Sequence, residues 1–143
     1  MKKFIFCLIA LVVAVVMTSC EEYDGRWKPI EVDKSQLSFT PEGGEQTITV
    51  LNYNRWWISG GYEDYDKAKN EYTNYVYPTS TDGEEICTYD LLDGGWYYVT
   101  VPEKGASNTV IIAVDKNETG KARKATVLMT VGNASTQIEI NQQ

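Results

Sequence analysis

The stretch from Asn108 to Asn141 reads N-T-V-I-I-A-V-D-K-N-E-T-G-K-A-R-K-A-T-V-L-M-T-V-G-N-A-S-T-Q-I-E-I-N. It contains three runs in which apolar and polar residues alternate, separated by turns at Glu118-Thr119-Gly120 and Gly132-Asn133. Strict alternation is typical of a strand with one buried face, so we expect three strands here. The apolar positions of these runs are Val110, Ile112, Val114, Ala125, Val127, Met129, Val131, Ile138 and Ile140.

The same alternation occurs in the first half of the chain. Leu37 and Phe39 share one face of a predicted strand, and Ile48 and Val50 share one face of the next, after a turn at residues 41–45. Trp27, Ile30 and Val32 mark a point at which the fold can begin.

A third predicted strand in this half places Trp56 and Ile58 on one face and Trp57 on the other, and Gly60-Gly61 is expected to end it. Several short strands with Gly and Asn turns and almost no helical pattern indicate an all-β sandwich.

Residues 62–94 interrupt this rhythm. A helical turn is expected near residues 64–72, followed by a strand at residues 75–77. Asp82-Gly83 is a turn dipeptide, and a further strand is expected between Ile86 and Leu92. We therefore interpret residues 62–94 as a long insert in the sandwich.

The first 20 residues resemble a bacterial lipoprotein leader. Lys2 and Lys3 precede an apolar run of 14 residues, Phe4 to Met17, whereas a transmembrane helix needs about 20. This pattern indicates a signal peptide at residues 1–19. Val16-Met17-Thr18-Ser19-Cys20 resembles a lipobox, with the usual Leu replaced by Met17. Cys20 is then the lipidated residue, carrying a fatty acid such as palmitate, and residues 20–34 form a lipidated tether.

The acidic residues after Cys20 resemble the export signal of surface lipoproteins in some Gram-negative bacteria. We therefore expect a lipid-anchored protein of the outer membrane that is exposed at the cell surface. The net charge of -7, which becomes -9 without Lys2 and Lys3, disfavours nucleic acid and anionic membrane surfaces as partners. Contact with the membrane is expected through the lipid only.

The content of histidine and cysteine limits the chemistry. The chain has no His, the commonest general base near neutral pH and a frequent zinc ligand. Cys7 leaves with the leader and Cys20 is lipidated, so Cys87 has no partner for an intramolecular disulfide. We expect Cys87 to be a small buried residue rather than a nucleophile. We expect no cofactor, no metal site and no enzyme activity.

Several segments resemble the BACON family of bacterial immunoglobulin-like modules. They are L-S-F-T-P-E-G-G-E-Q-T-I-T-V at 37–50, W-W-I-S at 56–59, G-W-Y-Y-V-T-V-P-E-K-G at 95–105, residues 109–132 and the terminal Q-I-E-I-N-Q. Conspicuous positions of the family pattern are taken by Trp56, Trp96, Asn117, Arg123 and Gln142. The resemblance implies an immunoglobulin-like two-sheet sandwich of about seven to nine strands over residues 35–143.

The family resemblance also bears on function. Its members are mostly secreted or surface proteins, and carbohydrate or mucin binding and a spacer role are both credible for them. No binding residues are general to the family. We expect this chain to depart from the family pattern in two ways, as a single module without a catalytic neighbour and through the insert.

Exposed aromatic side chains are the strongest candidates for binding, because sugar rings stack their apolar face on Trp or Tyr. Trp56 and Trp96 are assigned to the core. The alternative for the tyrosines is that they cover a second small core with their hydroxyls in water. The predicted ligand-binding residues are Trp57, Tyr62, Tyr65, Tyr75 and Tyr77.

Two acidic clusters offer oxygen ligands, Glu63-Asp64-x-Asp66 and Asp82-Gly83-Glu84-Glu85. Neither has the spacing of a known calcium loop, and a solvated face is the simpler interpretation. A carboxylate pair for glycoside hydrolysis is discounted, because no cleft is implied in so small a domain. The predicted function is non-catalytic binding of a glycan. The alternative is a spacer, or an accessory subunit that contacts another envelope protein.

Overall fold

The computed structural model describes residues 25–80, 90–102 and 108–143, and this part of the chain is all β. It forms ten strands: β1 (Gln36–Phe39), β2 (Gly44–Thr49), β3 (Trp57–Tyr62), β4 (Asp64–Asp66), β5 (Glu71–Thr73), β6 (Leu91–Asp93), β7 (Tyr97–Thr100), β8 (Thr109–Val114), β9 (Arg123–Val131) and β10 (Ala134–Gln142). The described residues include no helix that could cross a membrane.

The strands form two main sheets and a separate hairpin. Sheet one has the order β1-β10-β9-β3, sheet two has the order β2-β8-β7-β6, and β4 pairs with β5 alone. The pairs are antiparallel except β1 with β10, which is parallel. The all-β sandwich expected from the sequence is confirmed, with eight strands in its two sheets.

The β9–β10 hairpin is the longest paired element. Its register joins Ala125 to Ile140 and Val127 to Ile138, so the buried positions of both strands lie on one face. Gly132, with a φ of 54°, occupies the two-residue turn between them. A positive φ is open to glycine at no steric cost, which explains the turn that the sequence predicts here.

The core lies between the two sheets and contains the alternating apolar residues. Every apolar position predicted from residues 108–141 is at most 5% exposed, and so are Leu37, Ile48, Val50 and Ile58. Fully burying one such side chain contributes about 1.5–3 kcal/mol. Packing of these facing rows is therefore the main stabilising contribution that the described residues show.

Strand β3 does not end where the sequence predicts. It continues through Gly60 and Gly61, with a register shift between Ile58 and Gly60. A Cβ at Gly60 would lie 2.2 Å from the Tyr75 hydroxyl, and one at Gly61 would lie 2.6 Å from the Tyr97 hydroxyl. The two glycines therefore admit tyrosine rings close to the backbone and bend the strand, rather than terminating it.

The chain joins the fold before β1. Ile30 is 3% exposed and belongs to the core, and Val32 forms a bridge with Val50. Further back, the Asn133 side chain accepts a hydrogen bond from the Trp27 backbone N–H at 3.0 Å, and the Trp27 ring covers Gly132. The N-terminal segment therefore meets the sandwich at the β9–β10 turn.

Candidate ligand-binding site

Trp57 lies at the start of β3, on the outer face of sheet one. Its neighbours Trp56 and Ile58 are 9% and 0% exposed, whereas Trp57 is 37% exposed. Alternate side chains of a strand point to opposite faces, which produces this difference between adjacent tryptophans. Trp57 is paired with Thr130 of β9.

Five tyrosines form a continuous series of ring contacts, which we call the tyrosine stripe. Tyr72 contacts both Tyr62 and Tyr65, with ring centroids 4.7 Å apart in each pair. It also contacts Tyr75 at 5.4 Å, and Tyr75 contacts Tyr77 at 4.9 Å. These separations are those of directly packed aromatic rings. The stripe thus brings together all four predicted tyrosines and adds Tyr72.

The β4–β5 hairpin carries the distal part of the stripe. The helical turn predicted near residues 64–72 is wrong, because this segment forms the two strands of the hairpin. Tyr65 and Tyr72 lie directly opposite each other across the two strands. Asp66 Oδ1 accepts backbone hydrogen bonds from Ala68 and Lys69 at 2.9 and 3.3 Å, as an Asx turn does. Asn70 has a φ of 56°, a left-handed conformation that asparagine tolerates.

Glu63 fastens this hairpin to the sandwich. Its Oε1 accepts a hydrogen bond from the Trp96 indole Nε1 at 2.6 Å, and its Oε2 accepts one from Asn74 Nδ2 at 2.5 Å. Hydrogen bonds to a carboxylate are stronger than those between neutral groups. Since Trp96 belongs to the core, Glu63 links the hairpin to the sandwich interior.

Tyr75 connects the hairpin to β3 from the other side. Its hydroxyl donates to the Ser59 carbonyl at 3.2 Å, and its ring rests on Gly60. Burial, followed by the neighbouring Tyr77 and Tyr72, raises the pKa of Tyr75 above its ordinary value. Tyr75 therefore remains a neutral phenol, able to donate this hydrogen bond, throughout the physiological pH range.

The stripe is partly open to solvent. Tyr77 is 78% exposed and Tyr72 is 49% exposed, whereas Tyr62, Tyr65 and Tyr75 are half-buried. Tyr77 also lines a shallow pocket of about 220 Å³ together with Trp57, Ile58, Ser59 and Pro78. This shared pocket extends the aromatic surface from the hairpin to Trp57.

The rings of the stripe are inclined to one another by 32° to 64°. The surface is therefore ridged rather than flat. Tyr65 donates its hydroxyl hydrogen to Asn70 Oδ1 at 2.6 Å, so a polar amide borders the rings at the hairpin tip. The surface combines apolar ring faces with hydrogen-bonding groups, as ligand sites commonly do.

Charges surround the hairpin without forming a cation site. Lys69 lies 3.3 Å from Asp66 and Lys124 lies 3.9 Å from Asp64, both pairs being exposed to solvent. Within residues 25–80, 90–102 and 108–143 no group of three acidic or cysteine side chains is arranged to hold a metal ion. In the cluster Glu63-Asp64-x-Asp66, Glu63 therefore attaches the hairpin to the sandwich, and the two aspartates are solvated charges.

The predicted residue Tyr62 extends from the end of β3, and Tyr72 comes into contact with it only because the chain folds back. Tyr72 is not among the residues predicted from the sequence to bind ligand. Its position across a short turn from Tyr65 would have identified it, had residues 64–73 been interpreted as a hairpin. Cys20 and Cys87, with the second acidic cluster, lie outside the described residues.

The residues that carry the family resemblance converge near the ends of β9 and β10. We call Asn117, Arg123 and Gln142 the polar clamp. Gln142 Oε1 accepts a hydrogen bond from Arg123 Nε at 2.8 Å, and the Arg123 guanidinium carbon lies 4.4 Å from the Trp96 ring centroid. Such a position over an indole is favourable for a cation. A pocket of about 420 Å³ lies beside Arg123 and Gln142.

The clamp also binds backbone. Gln142 Nε2 donates to the carbonyls of Thr40, Pro41 and Asp115 at 3.1, 3.3 and 2.9 Å. Asn117 Nδ2 donates to the carbonyls of Lys121 and Gln143 at 2.7 and 3.0 Å. These side chains supply hydrogen bonds to backbone carbonyls of the loops that join the two sheets. We therefore interpret the clamp as structural rather than ligand-binding.

Two solved structures are similar to this chain. A solved structure from Bacteroides thetaiotaomicron, an NMR structure, is similar over 87% of this chain and 95% of its own, with a TM-score of 0.58 and 26% identity. The Bacteroides ovatus GH5 xyloglucanase in complex with a XXXG heptasaccharide gives a TM-score of 0.47 and 21% identity, over 80% of this chain and 18% of that one. No curated protein matches the chain.

A family model also matches, over residues 79–143. The family is BACON, described as "Putative binding domain, N-terminal", which is a binding and not a catalytic description. The matched region contains Trp96 and the whole polar clamp. The resemblance to the BACON family that the sequence carries is thereby confirmed, with the match covering residues 79–143.

Proposed function

We propose that the protein is a non-catalytic module that binds glycans on the surface formed by Trp57 and the tyrosine stripe. The observation that carries this proposal is the exposure of Tyr77, Tyr72 and Trp57, at 78%, 49% and 37%, within one continuous aromatic surface. A contiguous exposed apolar surface on a soluble domain commonly marks a binding site. The description of the BACON family as a binding domain supports the same class of function.

Binding would proceed by stacking. The axial C–H groups of a sugar ring pack on the exposed faces of Tyr72 and Tyr77, and removal of this surface from water supplies the affinity. The Asn70 side chain and the hydroxyl of Tyr77 border these faces and can exchange hydrogen bonds with sugar hydroxyls. Trp57 closes the surface at the end opposite the hairpin.

The test is direct binding to a panel of polysaccharides, measured by affinity electrophoresis and calorimetry. Tyr72→Ala, Tyr77→Ala and Trp57→Ala should each weaken binding by about tenfold, the equivalent of about 1.4 kcal/mol. Trp27→Ala is the matched control, because Trp27 is 46% exposed and contacts Tyr53 instead of the stripe. Equal loss in the control and the stripe variants would contradict the proposal, as would absence of binding to every polysaccharide.

One observation favours a second candidate, the docking of another envelope protein. The rings of the stripe are tilted against one another, and a ridged apolar surface suits interdigitating side chains. If the surface is a protein interface, the unsubstituted protein should bind no polysaccharide and should co-purify with a protein partner. The same three variants should then abolish that co-purification.

We also propose that a lipid on Cys20 holds the protein in the outer membrane, facing the cell surface. The proposal rests on the leader and on the lipobox-like sequence before Cys20. Cys20→Ala should abolish incorporation of labelled palmitate and move the protein from the membrane fraction to the soluble fraction. Cys87→Ala is the matched control and should change neither. Palmitate labelling that survives Cys20→Ala would contradict the assignment.

A further inference from the structure

We infer that the end of the sandwich next to the tether rests on the lipid leaflet that holds the anchor, through the apolar side chains of Trp27, Leu51 and Tyr53. This inference rests on the proposed lipid at Cys20 and goes beyond it, because the sequence alone leads us to expect contact with the membrane through the lipid only. Such a contact fixes the orientation of the domain on the membrane.

The three side chains belong to one continuous surface, which we call the anchor-side patch. The ring centroids of Trp27 and Tyr53 lie 6.0 Å apart, and Tyr53 and Leu51 line the same shallow pocket of about 340 Å³. Trp27 is 46% exposed and Leu51 is 61% exposed, whereas Tyr53 is half-buried. Large apolar side chains exposed side by side commonly mark contact with a partner or a membrane.

Hydrogen bonds hold the patch at one end of the sandwich. The Asn133 side chain, in the β9–β10 turn, accepts from the Trp27 backbone N–H at 3.0 Å and donates to the Gly25 carbonyl at 3.4 Å. The Tyr53 hydroxyl, in the connection between β2 and β3, donates to the Lys28 carbonyl at 2.9 Å. The N-terminal segment and two loops of the same end therefore form the patch together.

The tether is too short to turn this end of the domain away from the membrane. Five peptide units separate Cys20 from Gly25. A fully extended chain spans at most about 3.6 Å per residue, so the two α-carbons lie at most about 18 Å apart. Because Gly25 is bound at the β9–β10 turn, the end that carries the patch is the end brought to the membrane, whichever course the tether takes.

The side chains of the patch suit the boundary between lipid headgroups and acyl chains. Trp and Tyr are enriched at this depth because their rings are apolar and carry a polar N–H or O–H group. Residues 25–33 and 51–55 contain charges of both signs, namely Arg26, Lys28, Glu31, Asp33 and Arg55. The contact therefore depends on apolar area and not on attraction to anionic lipid, which agrees with the net charge of -7.

The experiment uses the full lipidated chain in phosphatidylcholine vesicles, with and without bromine on the upper part of the acyl chains. Bromine quenches tryptophan fluorescence only over short distances, so quenching identifies rings at the headgroup boundary. The protein should be quenched in brominated vesicles at both low and high salt, and Trp27→Phe should lose at least about half of that quenching. Trp57→Phe removes another partly exposed tryptophan, on the face of sheet one, and is the matched control that should retain it.

A second variant tests the contact while keeping Trp27 in place. Leu51→Asp puts a carboxylate into the patch, and because a charge is costly to remove from water it should reduce the quenching by at least about half. Tyr72→Asp is the matched control. It introduces the same charge at a residue that is 49% exposed, in the hairpin at the opposite end of β9, and should leave the quenching unchanged.

The outcomes separate this inference from the proposed lipid. A lipidated protein that stays with the vesicles without being quenched, or that is quenched equally after Trp27→Phe or Leu51→Asp, would overturn the inference and leave the lipid at Cys20 intact. Quenching that high salt removes would do the same, because it would indicate attraction between charges. A chain that carries no lipid and does not stay with the vesicles would overturn both.

Discussion

Tyr97 carries a buried hydroxyl in the interior of the sandwich. It is 1% exposed, and its hydroxyl has no hydrogen-bond partner among the described residues. Burial, followed by the negative charge of Glu63, raises the pKa of Tyr97 to about 12. An unpaired buried hydroxyl costs about 1–3 kcal/mol of desolvation. The ring packs edge-on against Trp96, with centroids 5.1 Å apart, so Tyr97 is retained for its packing.

Tyr97→Phe should therefore leave stability at pH 7 unchanged or raise it by about 1 kcal/mol. The folded protein holds this proton more tightly than the unfolded chain, so the contribution of Tyr97 is complete below pH ~10 and is lost as pH rises toward 12. The unsubstituted protein should lose up to about 3 kcal/mol over this window through Tyr97, and the variant should lack that loss.

Urea unfolding at pH 8 and at pH 11 measures both effects. Tyr53→Phe is the matched control, because the Tyr53 hydroxyl donates to the Lys28 carbonyl at 2.9 Å and its removal should cost about 1 kcal/mol at pH 8. A Tyr97→Phe variant less stable than Tyr53→Phe at pH 8 would reveal a hydrogen-bond partner and overturn this account.

Among the elements, the sequence predicts most reliably those whose cause is local. The β9–β10 hairpin follows from alternation and a Gly132-Asn133 turn, both of which are encoded within a few residues. Trp57 is placed outside and Trp56 inside by the same period of two. These features need no knowledge of the rest of the fold.

The β4–β5 hairpin could not be predicted in this way, because its cause is not local. Residues 64–73 show no apolar alternation, and the three-residue strands could not persist alone. What holds them is the Glu63 carboxylate on Trp96, 33 residues further along the chain, and the pairing of Val76 with Gly61. The continuation of β3 through Gly60 likewise depends on a distant tyrosine that fills the space left by the missing side chain.

Glu63→Ala should accordingly release the hairpin without unfolding the sandwich. The Trp96 indole would lose its acceptor, which costs about 1–2 kcal/mol. Amide hydrogen exchange at residues 64–76 should accelerate by at least about tenfold, while exchange in β9 and β10 should accelerate only as far as the loss of global stability requires. The proposed glycan binding should weaken by at least about tenfold, because the stripe loses its support.

Asp64→Ala is the matched control for the hairpin. Its only described ion pair, with Lys124 at 3.9 Å, is exposed, and such pairs contribute at most about 1 kcal/mol. Exchange at residues 64–76 that is equally fast in Asp64→Ala and Glu63→Ala would show that the hairpin depends on its charge, and not on the Trp96 contact.

For the whole molecule, the decisive feature is how two sheets, whose described strands contain no cysteine, are held in register at their ends. The N-terminal segment meets the sandwich at the β9–β10 turn through Trp27 and Asn133. The tyrosine hairpin approaches the opposite end of β9 through Asp64 and Lys124. A tether on the N-terminal side would therefore leave the hairpin at the far end of the domain, whereas Trp57, which pairs with Thr130 of β9, lies toward the tethered end.

The polar clamp joins the two sheets at that far end. Gln142 belongs to β10 of sheet one, and its side chain donates to the carbonyl of Asp115, which follows β8 of sheet two. It also reaches Thr40 and Pro41, in the connection between β1 and β2. Gln142 itself is 2% exposed, so its removal would cost the packing of a buried side chain as well as these hydrogen bonds.

Gln142→Ala should lower the free energy of unfolding by about 2–4 kcal/mol, because a buried side chain is lost and three backbone carbonyls and the Arg123 Nε would lose their partner. Gln137→Ala, at an exposed position of the same strand, should change it by less than about 0.5 kcal/mol. Urea unfolding followed by tryptophan fluorescence and by circular dichroism measures both. Coincident transitions shifted to lower urea would establish that the clamp stabilises the two sheets as one cooperative unit. A Gln142→Ala variant as stable as Gln137→Ala would show instead that packing of the facing apolar rows alone keeps the sheets together, and that the family pattern at Gln142 has another cause.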